Sequence, residues 1–92
     1  MSKPIRSPYT HIVVHPINAD NNHEVWASYT EIHPNMGTFD SDGLIGWLYP
    51  IGSCYWVWMN EAGHPTRVFS TRANVVLWLN DLCKSVDWLD IQ

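Results

Sequence analysis

The chain has 92 residues, enough for one domain (1–92) that buries roughly 60–65% of its unfolded surface. With 46% hydrophobic and 15% charged residues it is a folding sequence and not a disordered one. Five Lys and Arg stand against nine Asp and Glu, a net charge of −4 that disfavours neutralisation of nucleic-acid phosphates and suits a basic partner.

Two cysteines, Cys54 and Cys83, do not make a disulfide framework. The start "MSKPIRSPYT" has no apolar signal core, and no apolar run approaches the ~18 residues of a membrane span. These features place the chain in the cytoplasm with reduced thiols and no membrane partner.

In chain order, "THIVVHPI" (10–17) reads as a first strand, stopped by Pro16 and the polar turn "NADNN". "EVWASYTEIH" (24–33) reads as a second strand. Trp26, Ser28, Thr30 and Ile32 lie on one face, with Val25, Ala27 and Tyr29 on the other. "PNMGTFDSDG" (34–43) carries Pro34, Gly37 and Gly43 and reads as an exposed loop. "LIGWLYPIG" (44–52) is apolar but broken by Gly46, Pro50 and Gly52, which suggests a short edge strand or a packed connector.

"SCYWVWMN" (53–60) alternates as a strand but is apolar on both faces. Cys54, Trp56 and Trp58 point one way; Tyr55, Val57 and Met59 point the other. "NEAGHP" (60–65) has hairpin-turn chemistry around Gly63, and "TRVF" (66–69) reads as the return strand. Ser70 or Thr71 can N-cap a helix running to about Ser85. Its core stripe is Val75, Val76, Leu79, Leu82, Cys83 and Val86; Leu77 lies opposite, near Asp81 and Lys84, and Trp78 sits at the border. The tail "DWLDIQ" reads as a final turn packed back on the fold. The expected architecture is α+β: an antiparallel β-meander of four to five strands with one C-terminal helix on one face.

No chemistry-bearing pattern stands out. Gly52, Ser53, Cys54 and Tyr55 partly match the papain-type nucleophile signature, but Ile51 replaces its first cysteine and no distant histidine can follow. His11 and His15, four apart in a strand, are about 13 Å apart and cannot share one ion. Asp40 and Asp42 read as solvated turn residues. No catalytic residue, metal site or cofactor is assigned.

The segment "YWVWMNEAGHPTRVFSTRANVVLWL" resembles in layout the arm-type DNA-binding domains of tyrosine integrases, with Gly63, Arg67, Phe69, Thr71 and Arg72 at comparable places over about 25 residues. That resemblance implies three strands plus a helix and, as the alternative function, a nucleic-acid-binding module in which Arg67, Arg72 and Lys84 meet phosphate. The face that reads DNA in that family carries Trp56 and Trp58, or Tyr55 and Met59, here, which argues against binding of free nucleic acid.

Six tryptophans exceed what one thin core encloses. The helix can cover one face of 53–60. The other face is covered by the "GWLYPIG" connector (46–52), by a second copy in a homodimer, or by a different protein. Compact size, acidic charge, abundant Trp and missing catalytic motifs resemble phage-encoded inhibitors of bacterial defence, the anti-CRISPR proteins among them. That resemblance implies a non-enzymatic protein in the host-cell cytoplasm whose partner is a protein or nucleoprotein complex, such as Cas proteins with guide RNA. Glu61, Asp81 and Asp87 would meet its basic groove, Trp56, Trp58 and Leu77 would anchor the contact, and Arg67, Arg72 and Lys84 would touch guide RNA or nearby acids.

Overall fold

The structure, a computed structural model, describes residues 5–59 and 67–89. Strands β1 (Ile5–Arg6), β2 (His11–Val14), β3 (His23–His33), β4 (Gly37–Ile51), β5 (Cys54–Met59) and β6 (Arg67–Phe69) precede helix α1 (Arg72–Leu82), and β7 (Val86–Trp88) follows it. All seven strands form one sheet in the order β6–β5–β4–β3–β2–β7, with β1 lying beside the outer part of β3. Every pairing is antiparallel except β2 with β7, which is parallel. The sheet is therefore mixed and larger than the expected four- to five-stranded antiparallel meander. The C-terminal helix on one face is as expected.

Three local expectations are corrected. Residues 37–43, expected in a loop, form the first half of β4 and pair with β3 from His33↔Gly37 to Ala27↔Gly43. Asp40 and Asp42 hold a strand conformation because neighbouring hydroxyls satisfy them: Ser28 Oγ donates to Asp42 Oδ1 at 2.6 Å and Thr30 Oγ1 to Asp40 Oδ1 at 3.4 Å. Residues 44–51 are neither edge strand nor connector; they run between β3 and β5, pairing with β3 as far as Leu48 and with β5 from Gly46 onward. Finally, α1 stops at Leu82, and Val86 belongs to a strand.

The N-terminal end of α1 follows the sequence closely. Thr71 is the N-cap, its Oγ1 accepting from Asn74 N at 3.1 Å. Eleven helical residues span about 16 Å. They carry the chain across one face of the sheet, from the β6 edge to the β2 edge. There β7 satisfies the exposed backbone of β2: Ile12 N donates to Ser85 O, and Leu89 N to Val14 O, both at 2.9 Å. That non-local gain ends the helix where a helical wheel would continue it.

The core lies between α1 and the sheet. Val75 and Leu79, one helical turn apart, pack on Ile12, Val14, Val25, Ala27, Ile45, Leu48, Val57 and Met59. The expected stripe residues Leu82, Cys83 and Val86 are half-buried against this cluster, Val86 from β7 instead of from the helix. The "NADNN" turn is built by Asn18, whose Oδ1 accepts from Asp20 N at 3.0 Å and Asn22 N at 3.2 Å, with Asn21 at φ 61°. Gly52 supplies φ 58° in the β4–β5 turn. The hairpin turn expected at 60–65 lies outside the described residues. Among the described residues, no helix is long and apolar enough to cross a membrane.

Candidate functional site

Strand alternation assigns every side chain to the helix side or to the open side. On β3, Val25, Ala27 and Tyr29 face the helix, so Glu24, Trp26, Ser28 and Thr30 face away. On β5, Val57 and Met59 are buried under the helix, which turns Trp56 and Trp58 outward. β4 would not match this pattern without an irregularity. Trp26 pairs with Leu44 but Val25 pairs with Gly46, so Ile45 is an inserted residue, a β-bulge. Beyond the bulge the alternation is reset. Leu48 enters the core, while Trp47 and Tyr49 emerge on the open side opposite Trp58 and Trp56. The backbones pass so close here that a Cβ on Gly46 would collide with the Trp58 carbonyl oxygen.

Trp47, Tyr49, Trp56 and Trp58 together line a shallow concavity of about 320 Å³. The Trp56 and Trp58 rings cross at 82° with centroids 6.3 Å apart, and Tyr49 lies 5.4 Å from Trp56 at 39°. Trp58 is 48% exposed, and none of the six tryptophans is fully buried. The connector, one of the three covers considered for the Trp56/Trp58 face, thus contributes two more rings to it. No described residue forms a second layer over them.

The charges on this face are uniform in sign. Glu24, Asp40, Asp42 and Asp87 lie on it by register, and none of the described Lys or Arg residues does. Glu24 is directly opposite Trp47, and its Oε1 accepts from Trp26 Nε1 at 2.9 Å. A second concavity on the same side is lined by Val13, His15, Trp26, Ala27, Ser28 and Asp42. Trp26 and His15 meet edge to face there, 6.2 Å apart.

At the β2–β7 edge, His11 Nδ1 lies 2.5 Å from Ser85 Oγ and its Nε2 lies 3.0 Å from Asp87 Oδ2. Ser, His and Asp in line have the order of a nucleophile relay, one that sequence spacing did not reveal. Strand geometry accounts for it: Val86 pairs with Ile12 and Asp87 with Val13, so Ser85 and Asp87, two residues apart on one face of β7, both lie within reach of the His11 ring. The Asp87 side chain is 65% exposed, whereas a relay carboxylate works buried. The arrangement ties β7 to β2. On the far side of the sheet, burial pushes the Cys83 thiol up, backbone hydrogen bonding at Ser85 and Ile12 offsetting part of the rise. Cys54 is half-buried beside the aromatic face.

The residues singled out from sequence fall into separate places. Trp56 and Trp58 are on the open face. Asp87 shares that side but sits at the opposite end of the sheet, four strands away. Arg67 faces the helix, with its guanidinium 5.7 Å from the centre of the Trp78 ring. Arg72 lies 4.3 Å from the centre of Trp88. Leu77 (64% exposed), Asp81 and Lys84 are exposed at α1 and just beyond it, away from the aromatic face. Glu61 lies outside the described residues. Sequence reading missed Trp47, Tyr49, Glu24 and Trp26 as members of one site. The alternation of Trp47 and Tyr49 around Leu48 was the available signal, hidden by the bulge at Ile45. Among the described residues no three His, Cys, Asp or Glu side chains gather as a metal site.

Comparison of the chain with protein-family models, with curated proteins and with solved structures finds no match.

Proposed function

We propose that this chain is a binding protein without chemistry of its own, which docks a basic protein or nucleoprotein partner through the open face of its sheet. The observation that carries this reading is the cluster of Trp47, Tyr49, Trp56 and Trp58, turned away from α1, with the Glu24 carboxylate directly opposite Trp47. Trp and Tyr anchors on a rigid sheet are the groups that dominate binding energy at interfaces. Glu24, Asp40 and Asp42 supply the complementary field for a basic surface. Two copies would bring these carboxylates face to face, which disfavours self-pairing. Free nucleic acid is disfavoured by the same charges, although exposed rings on a sheet do stack bases elsewhere.

In its specific form, the proposal is a phage-encoded inhibitor that blocks a CRISPR–Cas complex in the host cytoplasm, as the resemblance in character implies. The test is co-elution of the purified chain with a purified effector complex carrying guide RNA, alongside phage plating on bacteria expressing the chain. The expected result is a stoichiometric complex and restored plating, both lost with Trp58→Ala, whose truncation at a central anchor weakens association by ~30-fold or more. No complex with any effector would remove the specific form. Loss of binding with Asp81→Lys and Lys84→Glu, but not with Trp58→Ala, would move the contact to the helix side and overturn the sheet-face reading.

A further inference from the structure

The chemistry of the open face narrows what it receives. Four aromatic rings line the concavity, and two of them, Trp56 and Trp58, stand nearly perpendicular at 82°. An occupant therefore meets ring surface from more than one direction. Ring faces carry negative electrostatic potential and attract cations. Glu24 adds a full negative charge at the rim: directly opposite Trp47, its Cβ is ~5 Å from that of the indole residue. Its Oε1 is held by the Trp26 Nε1–H at 2.9 Å. No cation lies over Trp47, Tyr49, Trp56 or Trp58 among the described residues.

We propose that this cluster is an aromatic cage for a guanidinium group, filled by an arginine side chain of the docked partner. This inference rests on the docking reading above. The shallowness of the concavity favours a flat group that can lie on a ring over a spherical ammonium that must be enclosed. Guanidinium is also the more weakly hydrated cation and gives up less water on stacking. Within the molecule the same pairing recurs: Arg6 lies 4.8 Å from the centre of Tyr29, Arg67 lies over Trp78 and Arg72 over Trp88. The open-face rings offer the same pairing to a cation of the partner, and Glu24, the carboxylate directly opposite Trp47, supplies the charge complementarity that favours arginine over an apolar side chain.

The test uses the full chain and three peptides, acetyl-Gly-Arg-Gly-Arg-Gly-Arg-amide and its lysine and citrulline counterparts, followed through the indole Nε1–H resonances. The expected result is a saturable shift of the Trp47, Trp56 and Trp58 signals, with Trp78 and Trp88 unmoved. The citrulline peptide should bind at least about fivefold more weakly, since it keeps the shape and loses the charge. The lysine peptide should also bind more weakly than arginine, which separates the cage from general charge attraction. Glu24→Gln, which leaves all four rings in place, should weaken the arginine peptide severalfold. Equal binding of arginine and lysine, equal binding of arginine and citrulline, or shifts that follow protein concentration in place of peptide would each overturn the proposal. The last outcome would assign the face to a second copy. If the peptides fail while Trp58→Ala still abolishes the partner complex, the cage falls alone. If Trp58→Ala leaves that complex intact, the docking reading falls with it.

Discussion

Gly46 is where the geometry of the open face is most tightly constrained. Besides the Trp58 carbonyl, a Cβ there would meet Met59 Sδ at 3.0 Å and Met59 Cα at 3.2 Å, so backbone as well as side chain blocks it. Gly46→Ala must push β4 and β5 apart at the point where Trp47 and Trp58 pair. The expected loss is about 1–3 kcal/mol of stability, seen as a lower denaturation midpoint. Gly37 is the contrasting case. Its neighbourhood is open, and only its φ of 98° resists a side chain, so Gly37→Ala should lose about 1 kcal/mol and leave indole fluorescence unchanged. Cys83 makes a pH-dependent prediction. Burial raises its thiol above the ordinary range, so the fold prefers the protonated form. A raised value means that this contribution is complete below the unfolded thiol's range and is lost as pH rises through the folded one. Thermal melts between about pH 8 and 10 should fall less steeply for Cys83→Ala than for the parent chain.

Among the elements, β3, the β2–β3 turn and the start of α1 were legible because their causes are local. Alternation in "EVWASYTE", the asparagines of "NADNN" and the cap at Thr71 each act within a few residues. Thr71→Ala should accordingly lose about 1 kcal/mol, measurable by chemical denaturation. The first half of β4 was illegible for the opposite reason. Asp40, Asp42 and Gly43 are poor strand formers, and what holds them is far away in sequence: two hydroxyls of β3, and the Tyr29 ring whose oxygen comes to 3.2 Å of where a Gly43 Cβ would be. β7 was missed likewise, since Val86 and Trp88 fit either a helical stripe or an alternating strand. Only the unpaired edge of β2, some 70 residues earlier, decides between them. The aromatic site was half legible. Trp56 and Trp58 were placed together from their spacing, whereas Trp47 and Tyr49 join them through the bulge at Ile45, which no pattern in "LIGWLYPIG" announces.

For the whole molecule, shape and charge act together. Its radius of gyration, 14.6 Å, exceeds the ~12 Å of a compact chain of this length, and its extents of 49 × 29 × 25 Å reflect the long β3–β4 hairpin. Among the described residues the one helix, eleven residues long, packs on one face of this sheet, and the other face carries rings and carboxylates. Asp40 and Asp42 lie along this hairpin, toward the outer half of the open face. As exposed charges set along the hairpin from the aromatic anchor, they should guide the approach of a basic partner more than they hold it in place. Replacing both with Asn should therefore slow association severalfold at low ionic strength while changing dissociation little. Raising salt toward 0.5 M, where the Debye length shrinks to about 4 Å, should erase most of the difference between variant and parent. Trp58→Ala should do the reverse, speeding dissociation at every salt concentration because it removes buried ring surface. Stopped-flow or surface-based kinetics of the two variants would separate these effects. If the Asp variants changed only dissociation, their carboxylates would be part of the buried contact, and the division of labour between ring cluster and hairpin carboxylates would be wrong.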